Sequence, residues 1–175
     1  MTQHSAIPWT YWIVFGWYEP LLTLLGCAAV MLYPKEIHDQ QAPWPSGSPP
    51  NSPLSRATLV TLLQLAQTVG LLGLVNFLTL GTARRHLARY PAIQERMVAA
   101  LLTPLLLGDI SHMAITLWAL GEERWDTASW RDSTTLWLTM LTGMTLLCPR
   151  IAWHLGIGRY MHKRDGKELS RIKGS

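Results

Sequence analysis

Two carboxylates, a guanidinium and an imidazole stand where the sequence is otherwise apolar: Glu19, Asp109, Arg150 and His112. A charged side chain at the centre of a bilayer costs about 2.5–3.5 kcal/mol even on lenient insertion scales, so such residues turn into a bundle interior and mark a site. Arg150 keeps its proton and balances one carboxylate; the other, dehydrated and beside a like charge, holds a proton of its own. A neutral carboxylic acid in an apolar cavity is a proton donor, and its ionised partner or His112 takes a proton back. That chemistry suits protonation-driven cyclisation or isomerisation of an alkene or epoxide in a hydrophobic substrate arriving from the bilayer. Glu19 and Asp109 would be acid and counter-base, His112 a proton acceptor, and Arg150 the charge that sets their ionisation. Gln64 and Gln67 would hydrogen-bond substrate or water. Trp17, Tyr18, Trp118 and Trp153 would line the pocket and stabilise a passing cation through their ring faces.

The same residues also allow a reading without chemistry. A Glu19–Arg150 pair across two helices, like other interhelical polar contacts worth about 0.6 kcal/mol on average, holds a membrane bundle together by itself. The chain would then be a non-catalytic membrane partner or a binder of lipophilic ligands.

The elements that must position these side chains are apolar runs of membrane-spanning length. No residue between Val60 and Leu80 is charged, and between Met97 and Leu120 only Asp109 is, so the near-neutral mean hydropathy of +0.13 hides a strong segregation of charge. Runs of 18 or more apolar residues read as membrane helices. Four are expected, over residues 9–33, 59–80, 97–120 and 135–157, in a single domain of 175 residues; the fold class is all-α, a four-helix transmembrane bundle. Pro20, directly after Glu19, removes a backbone hydrogen bond and frees a carbonyl on the preceding turn. Six of the eleven prolines lie in residues 34–58, which reads as an irregular loop. At about 1.5 Å of rise per residue, Glu19, Gln67, Asp109 and Arg150 all fall roughly 12–20 Å from one membrane edge and share a layer. Asp109 and His112, and likewise Gln64 and Gln67, are three apart and form polar stripes expected to turn inward together.

Basic residues decide sidedness. Arg84, Arg85, Arg89 and Arg96 follow the second run, and Arg159, Lys163, Arg164, Lys167, Arg171 and Lys173 fill the tail, 159–175, whereas Lys35, Arg56, Arg124 and Arg131 flank the opposite edge. The positive-inside rule then places both termini in the cytosol. This distribution, more than the net charge of +4, argues against nucleic acid and for the lipid bilayer as partner. The first eleven residues carry no Lys or Arg, so no cleaved signal peptide is expected and the first helix would be an uncleaved anchor. Cys27 and Cys148 lie inside apolar runs without metal-ligand spacing and read as packing residues. Neither a metal nor a cofactor is expected. Charge alternates with tryptophan at Trp125, Asp126, Trp130 and Arg131, which suits a segment lying flat at the far interface.

Tyr18-Glu19-Pro20 with Gly26, then Gln64, Asp109-x-x-His112, the Trp125-Asp126 and Trp130 loop, and Arg150 with Gly156 and Gly158, resemble small fungal four-span integral membrane proteins known as a domain of unknown function. The resemblance covers residues 11–158. It implies an integral membrane protein of the endoplasmic reticulum, associated with secondary metabolism, with other membrane enzymes of the same pathway as possible partners. In chemical logic the chain is similar to fungal transmembrane terpenoid cyclases, which use paired acidic residues. Those proteins are longer and cross the membrane more often, so none of their motifs maps onto these positions.

Overall fold

A computed structural model describes residues 5–44 and 47–166, and among them every regular element is helical. The first long helix, α1 (Trp9–Leu32), widens into a π-helical turn at Val14–Tyr18. Pro20 is the cause. It has no N–H to donate, and its ring would crowd the carbonyl one turn back, so the helix opens by one residue ahead of it. In the wide turn the Glu19 N–H reaches the Val14 carbonyl. The Phe15 carbonyl, next in that register, would need the missing Pro20 N–H; the buried Asn76 amide donates to it instead at 3.0 Å.

A short helix, α2 (Pro34–Asp39), follows, where an irregular loop was expected over residues 34–58. Pro34 sits at its first position with φ preset for a helix, and Lys35 bridges one turn to Asp39 at 2.5 Å while donating to the Pro50 carbonyl at 2.8 Å. Helix α3 (Arg56–His86) starts at Ser55, whose hydroxyl accepts from the Thr58 N–H at 3.1 Å, and ends on Arg84, Arg85 and His86, which suit the negative helix terminus. Helix α4 (Pro91–Ala119) begins six residues before the expected Met97, because Pro91 starts it and Gln94 and Val98 bury its first turns. Gly121, at φ +58, stops it. Two 3₁₀ turns, Gly121–Trp125 and Ser129–Asp132, lead to α5 (Thr134–His154). The turns bury Trp130, whose indole donates to the Glu123 carbonyl at 2.9 Å, and leave Trp125 exposed.

Helices α1, α3 and α4 are long and apolar enough to cross a membrane. Their outward faces carry Leu, Ile, Val and Met, as a lipid-facing surface does. Helix α5, with 21 residues, spans roughly 31 Å at 1.5 Å per residue; it carries threonines and Arg150 and is not among those three.

α1 packs chiefly on α3, and α4 on α5. The first contact is close because α3 offers glycine: a Cβ on Gly73 would run into Thr23 Oγ1, so only a bare backbone lets the helices meet there. Cys27 packs at Gly70 on the same seam. Cys148 is exposed, not the packing residue expected. One apolar core joins Ile7, Phe15, Leu80, Leu102 and Trp153, and a second joins Leu120, Trp130 and Leu136. Chain order sets Glu19, Asp109 and Arg150 between these two cores.

The ends of the bundle are tied differently. At one, the Tyr160 N–H donates to the Ser5 carbonyl at 3.0 Å, and Gln94 accepts from the Ala6 N–H at 2.9 Å. At the other, the Leu136 N–H donates to the Gln40 carbonyl at 3.0 Å, and Thr135 donates to the Gln40 side chain at 3.2 Å.

Candidate functional site

Arg150 lies at the centre. Its side chain is 1% exposed and donates from Nη2 to Glu19 Oε1 and from Nη1 to Asp109 Oδ2, joining α1, α4 and α5 through one guanidinium. Each of the three helices carries a proline within five residues of its charged partner: Pro20 follows Glu19, Pro149 precedes Arg150 and Pro104 lies five residues before Asp109. Pro20 and Pro149 each remove a helix N–H next to the buried charge. The aromatic ring of Phe15, itself buried, lies 5.6 Å from the Arg150 guanidinium carbon and gives the cation a π face. The Glu19 side chain is 7% exposed and that of Asp109 is 17%. Both carboxylates are therefore largely dehydrated, with Asp109 nearer the outside.

Among the described residues, three buried side-chain polar atoms have no hydrogen-bond partner: Glu19 Oε2, Asn76 Oδ1 and Arg150 Nε. All three belong to this one layer. Buried polar atoms in folded proteins are nearly always paired, so a group of exceptions in one place calls for an explanation.

Of the residues expected at the site, the bundle brings together Glu19, Asp109 and Arg150. Tyr18 stands next to Glu19, with its hydroxyl 3.0 Å from Thr145 Oγ1 on α5. His112, Gln64 and Gln67 are exposed and face away from the bundle. Three residues along a helix is about 60° off a full turn; Asp109 already lies at the edge of the interior, and the next turn carries His112 past it. Gln64 and Gln67 lie on the outer side of α3 because its inner side is fixed by Ala66, Gly70, Gly73 and Asn76, all buried. Trp118 is 77% exposed, and Trp17 is half-exposed against Phe77. Trp153 is fully buried with both its uses filled: its indole donates to the Ala6 carbonyl at 2.8 Å, and Arg159 covers its ring at 3.8 Å. No ring face of Trp153 is left for a substrate cation.

Asn76 and Phe15 complete the site and were not among the expected residues. Asn76 had a signal in the sequence. Pro20 leaves a carbonyl without a donor, and the uncharged run of α3 contains three amides that could supply one. Phe15 had none beyond its position one turn before Glu19. Below the cluster, His154 bridges α5 to α4: Nε2 is 3.1 Å from Thr103 Oγ1, and Nδ1 is 2.8 Å from the Arg150 carbonyl. Among the described residues no group of three His, Cys, Asp or Glu side chains converges as a metal site would.

An apolar recess of about 340 Å³ opens between α1 and α5, lined by Thr10, Tyr11, Val14, Pro149, Ala152, Ile157 and Gly158. Glu19, Asn76, Asp109 and Arg150 are not among the residues that line it. A second, of about 640 Å³, lies at the far end, where Glu36, Asp39, Glu123, Asp126 and Asp132 gather around Trp44.

The sequence model of one domain family, described as a domain of unknown function (DUF7704), matches residues 4–160. No curated protein and no solved structure matches the chain.

Proposed function

The chain belongs to the DUF7704 family, and we propose that it is a membrane-embedded enzyme that cyclises or isomerises a hydrophobic, terpenoid-like intermediate by proton transfer. The observation that carries this reading is the set of unpaired atoms on Glu19, Asn76 and Arg150. A purely structural ion pair gains by satisfying every polar atom; sites that break that rule are found where chemistry is done. One of the two carboxylates protonates an alkene carbon, Arg150 and the Phe15 ring face the cation layer, and the other carboxylate takes up the proton lost when the new double bond forms. One proton enters and one leaves, so no oxidant or reductant is required. The recess between α1 and α5 is the route from the bilayer to that layer.

The wider setting belongs to the same proposal: four spans, both termini cytosolic, in the endoplasmic reticulum of a fungus, acting in secondary metabolism beside other membrane enzymes. The orientation within it is supported by the charge at the two ends. Arg84, Arg85, Arg89, Arg96, Arg159, Lys163 and Arg164 lie toward the end where residues 5–7 meet Gln94 and Tyr160, and the acidic recess lies at the other. Lys167, Arg171 and Lys173 fall outside the described residues.

A second reading has its own observation. Arg150 spends one bond on each carboxylate and so ties three helices together, which a non-catalytic membrane partner or ligand binder would also use. The gene deletion separates the two. With the enzyme reading, deletion leads to an uncyclised lipophilic precursor in the host's extract; the intact chain restores the product, and Glu19→Gln inserts normally without restoring it. An unchanged metabolite profile, or full restoration by Glu19→Gln, removes the enzyme. Recovery of folding by exchanging Glu19 and Arg150, after either single change has lost it, selects the structural tie.

A further inference from the structure

Arg150 and Arg159 each lie on an aromatic ring and also meet a carboxylate. Arg84 has the rings without the carboxylate. Its guanidinium carbon lies 5.1 Å from the centre of the Trp9 ring and 5.2 Å from that of Trp12, and Nη1 makes a long contact of 3.5 Å to the Ile7 carbonyl. Its other N–H groups have no protein partner among the described residues. A guanidinium held on ring faces keeps its in-plane donors in the fork that matches a phosphate. The two carboxylates described at this end are already taken, Glu95 by Arg159 and the His162 N–H, and Asp165 by Arg164 and the Met161 N–H. Arg85 and Arg89 add exposed positive charge beside Arg84. We infer that this seam between α1 and α3 binds an anionic phospholipid, with its phosphate on Arg84 and an acyl chain running along Phe77 and Trp17.

The seam is built in register. Phe77, Gly81 and Arg84 are four and three residues apart and share one face of α3. The Trp12 indole lies across from α1 onto that face: a Cβ on Gly16 would run into its ring, and one on Gly81 would touch it at 3.6 Å. Phe77 continues the stack, with its ring centre 6.3 Å from that of Trp12 and 5.5 Å from that of Trp17. Trp9 and Trp17 are both exposed along this line, so the ring surface is open to lipid. From Arg84 to Phe77 the helix advances roughly 10 Å. The charge thus stands at the end of α3 and the rings descend from it into the apolar run, the order of a phospholipid's own head and chain. A choline headgroup would bring an ammonium that finds arginines and no available carboxylate here. A headgroup whose phosphate is its only charge meets the guanidinium alone, which selects an anionic lipid.

The seam holds its lipid whether or not the charged layer turns over a substrate, so it can fail independently of the proposed activity. The test is native mass spectrometry of the full chain released from micelles that contain phosphatidylglycerol or phosphatidylcholine of the same chain length. The chain should retain phosphatidylglycerol and lose phosphatidylcholine. Arg84→Gln should weaken that retention about tenfold, and Arg89→Gln, at the exposed side of the same end, by no more than about twofold. Equal retention of the two lipids, or equal losses from the two variants, shows a diffuse basic surface and overturns the site. Inorganic phosphate that competes as well as the lipid assigns Arg84 to a free anion and overturns it too. The unaltered chain decides the matter even where Arg84→Gln fails to fold: phosphatidylglycerol with a diazirine in its acyl chain should, on illumination, label residues 9–17 and 77–84 in excess over the matching phosphatidylcholine probe. Labelling spread alike over the outer faces of α1, α3 and α4 overturns the inference.

Discussion

Two regions of this bundle handle buried polar groups in opposite ways. In the clasp that joins residues 5–7, the start of α4 and the segment after α5, the buried side chains of Gln94 and Arg159 both find partners. Gln94 accepts from Ser5 Oγ at 3.1 Å and the Ala6 N–H at 2.9 Å and donates to the Ala83 carbonyl at 3.0 Å. Arg159 donates to Trp153 O at 2.6 Å, to Tyr160 O at 2.6 Å and to Glu95 at 2.8 Å. In the charged layer, three atoms on three side chains are left over. Saturated networks rigidify a fold, and partly satisfied ones cost it stability. The contrast shows that the clasp bears the fold's polar load, which lets the layer remain incomplete.

Substitutions can break or sharpen this contrast. The largest effect is expected from Arg150→Leu, which strands buried negative charge: a loss of about 3–5 kcal/mol, read as the failure of monodisperse protein in detergent or a large drop in its thermal unfolding midpoint. Combining it with Glu19→Gln and Asp109→Asn should recover most of that loss, because neutral groups need no counter-charge. A triple variant as unstable as the single one would mean that the layer's ionic bonds hold the fold, and the contrast would collapse. Next comes the clasp. Gln94→Leu leaves the Ala6 N–H unpaired, while the Ala83 carbonyl keeps its bond from the Leu87 N–H, at about 1–3 kcal/mol; faster hydrogen exchange at Ala6 is the measurement, and unchanged protection there would show that the clasp is not where stability resides.

Gly156 sits at φ +74, a conformation costing side-chain-bearing residues roughly 1 kcal/mol. Gly156→Ala should therefore lower the unfolding midpoint by less than Gln94→Leu does, and a larger drop would reverse that order. The smallest effect is at the outer turn of the clasp. The hydrogen bonds from Arg164 hold the Asp165 carboxyl below the usual carboxylate range. A group held low contributes stability that is present above its ordinary pKa of about 3.9 and is lost as pH falls through its folded value. Protection of the Met161 N–H, which Asp165 accepts at 2.8 Å, should thus persist at pH 5 and fail only in stronger acid. Loss of protection near pH 5 would contradict the pairing.

Legibility in the sequence followed cost. Glu19, Asp109 and Arg150 could be found because a charge in an apolar run is expensive enough to demand a partner, and few partners were on offer. The helices could be found from charge segregation alone, although α3 and α4 run several residues past the apolar runs at their basic ends, where capping and not hydropathy sets the limit. Polar but uncharged residues were another matter. An exposed glutamine in lipid costs little enough to be tolerated, so nothing in the residue types separated Gln64 and Gln67, which face outward, from Asn76, which is buried. What distinguishes them is the set of small residues Ala66, Gly70 and Gly73, which fixes the packed side of α3. The clasp was hidden for a different reason: Gln94 and Arg159 lie outside the apolar runs, and most of their partners are main-chain groups, which leave no mark on the sequence.

The indole of Trp153 reaches back across the chain to the carbonyl of Ala6. A ribosome makes residue 6 long before residue 153, so this bond forms only after the three long helices before α5 have been made. Closure of this end of the bundle is consequently a late step, set by the last long helix and not by the first.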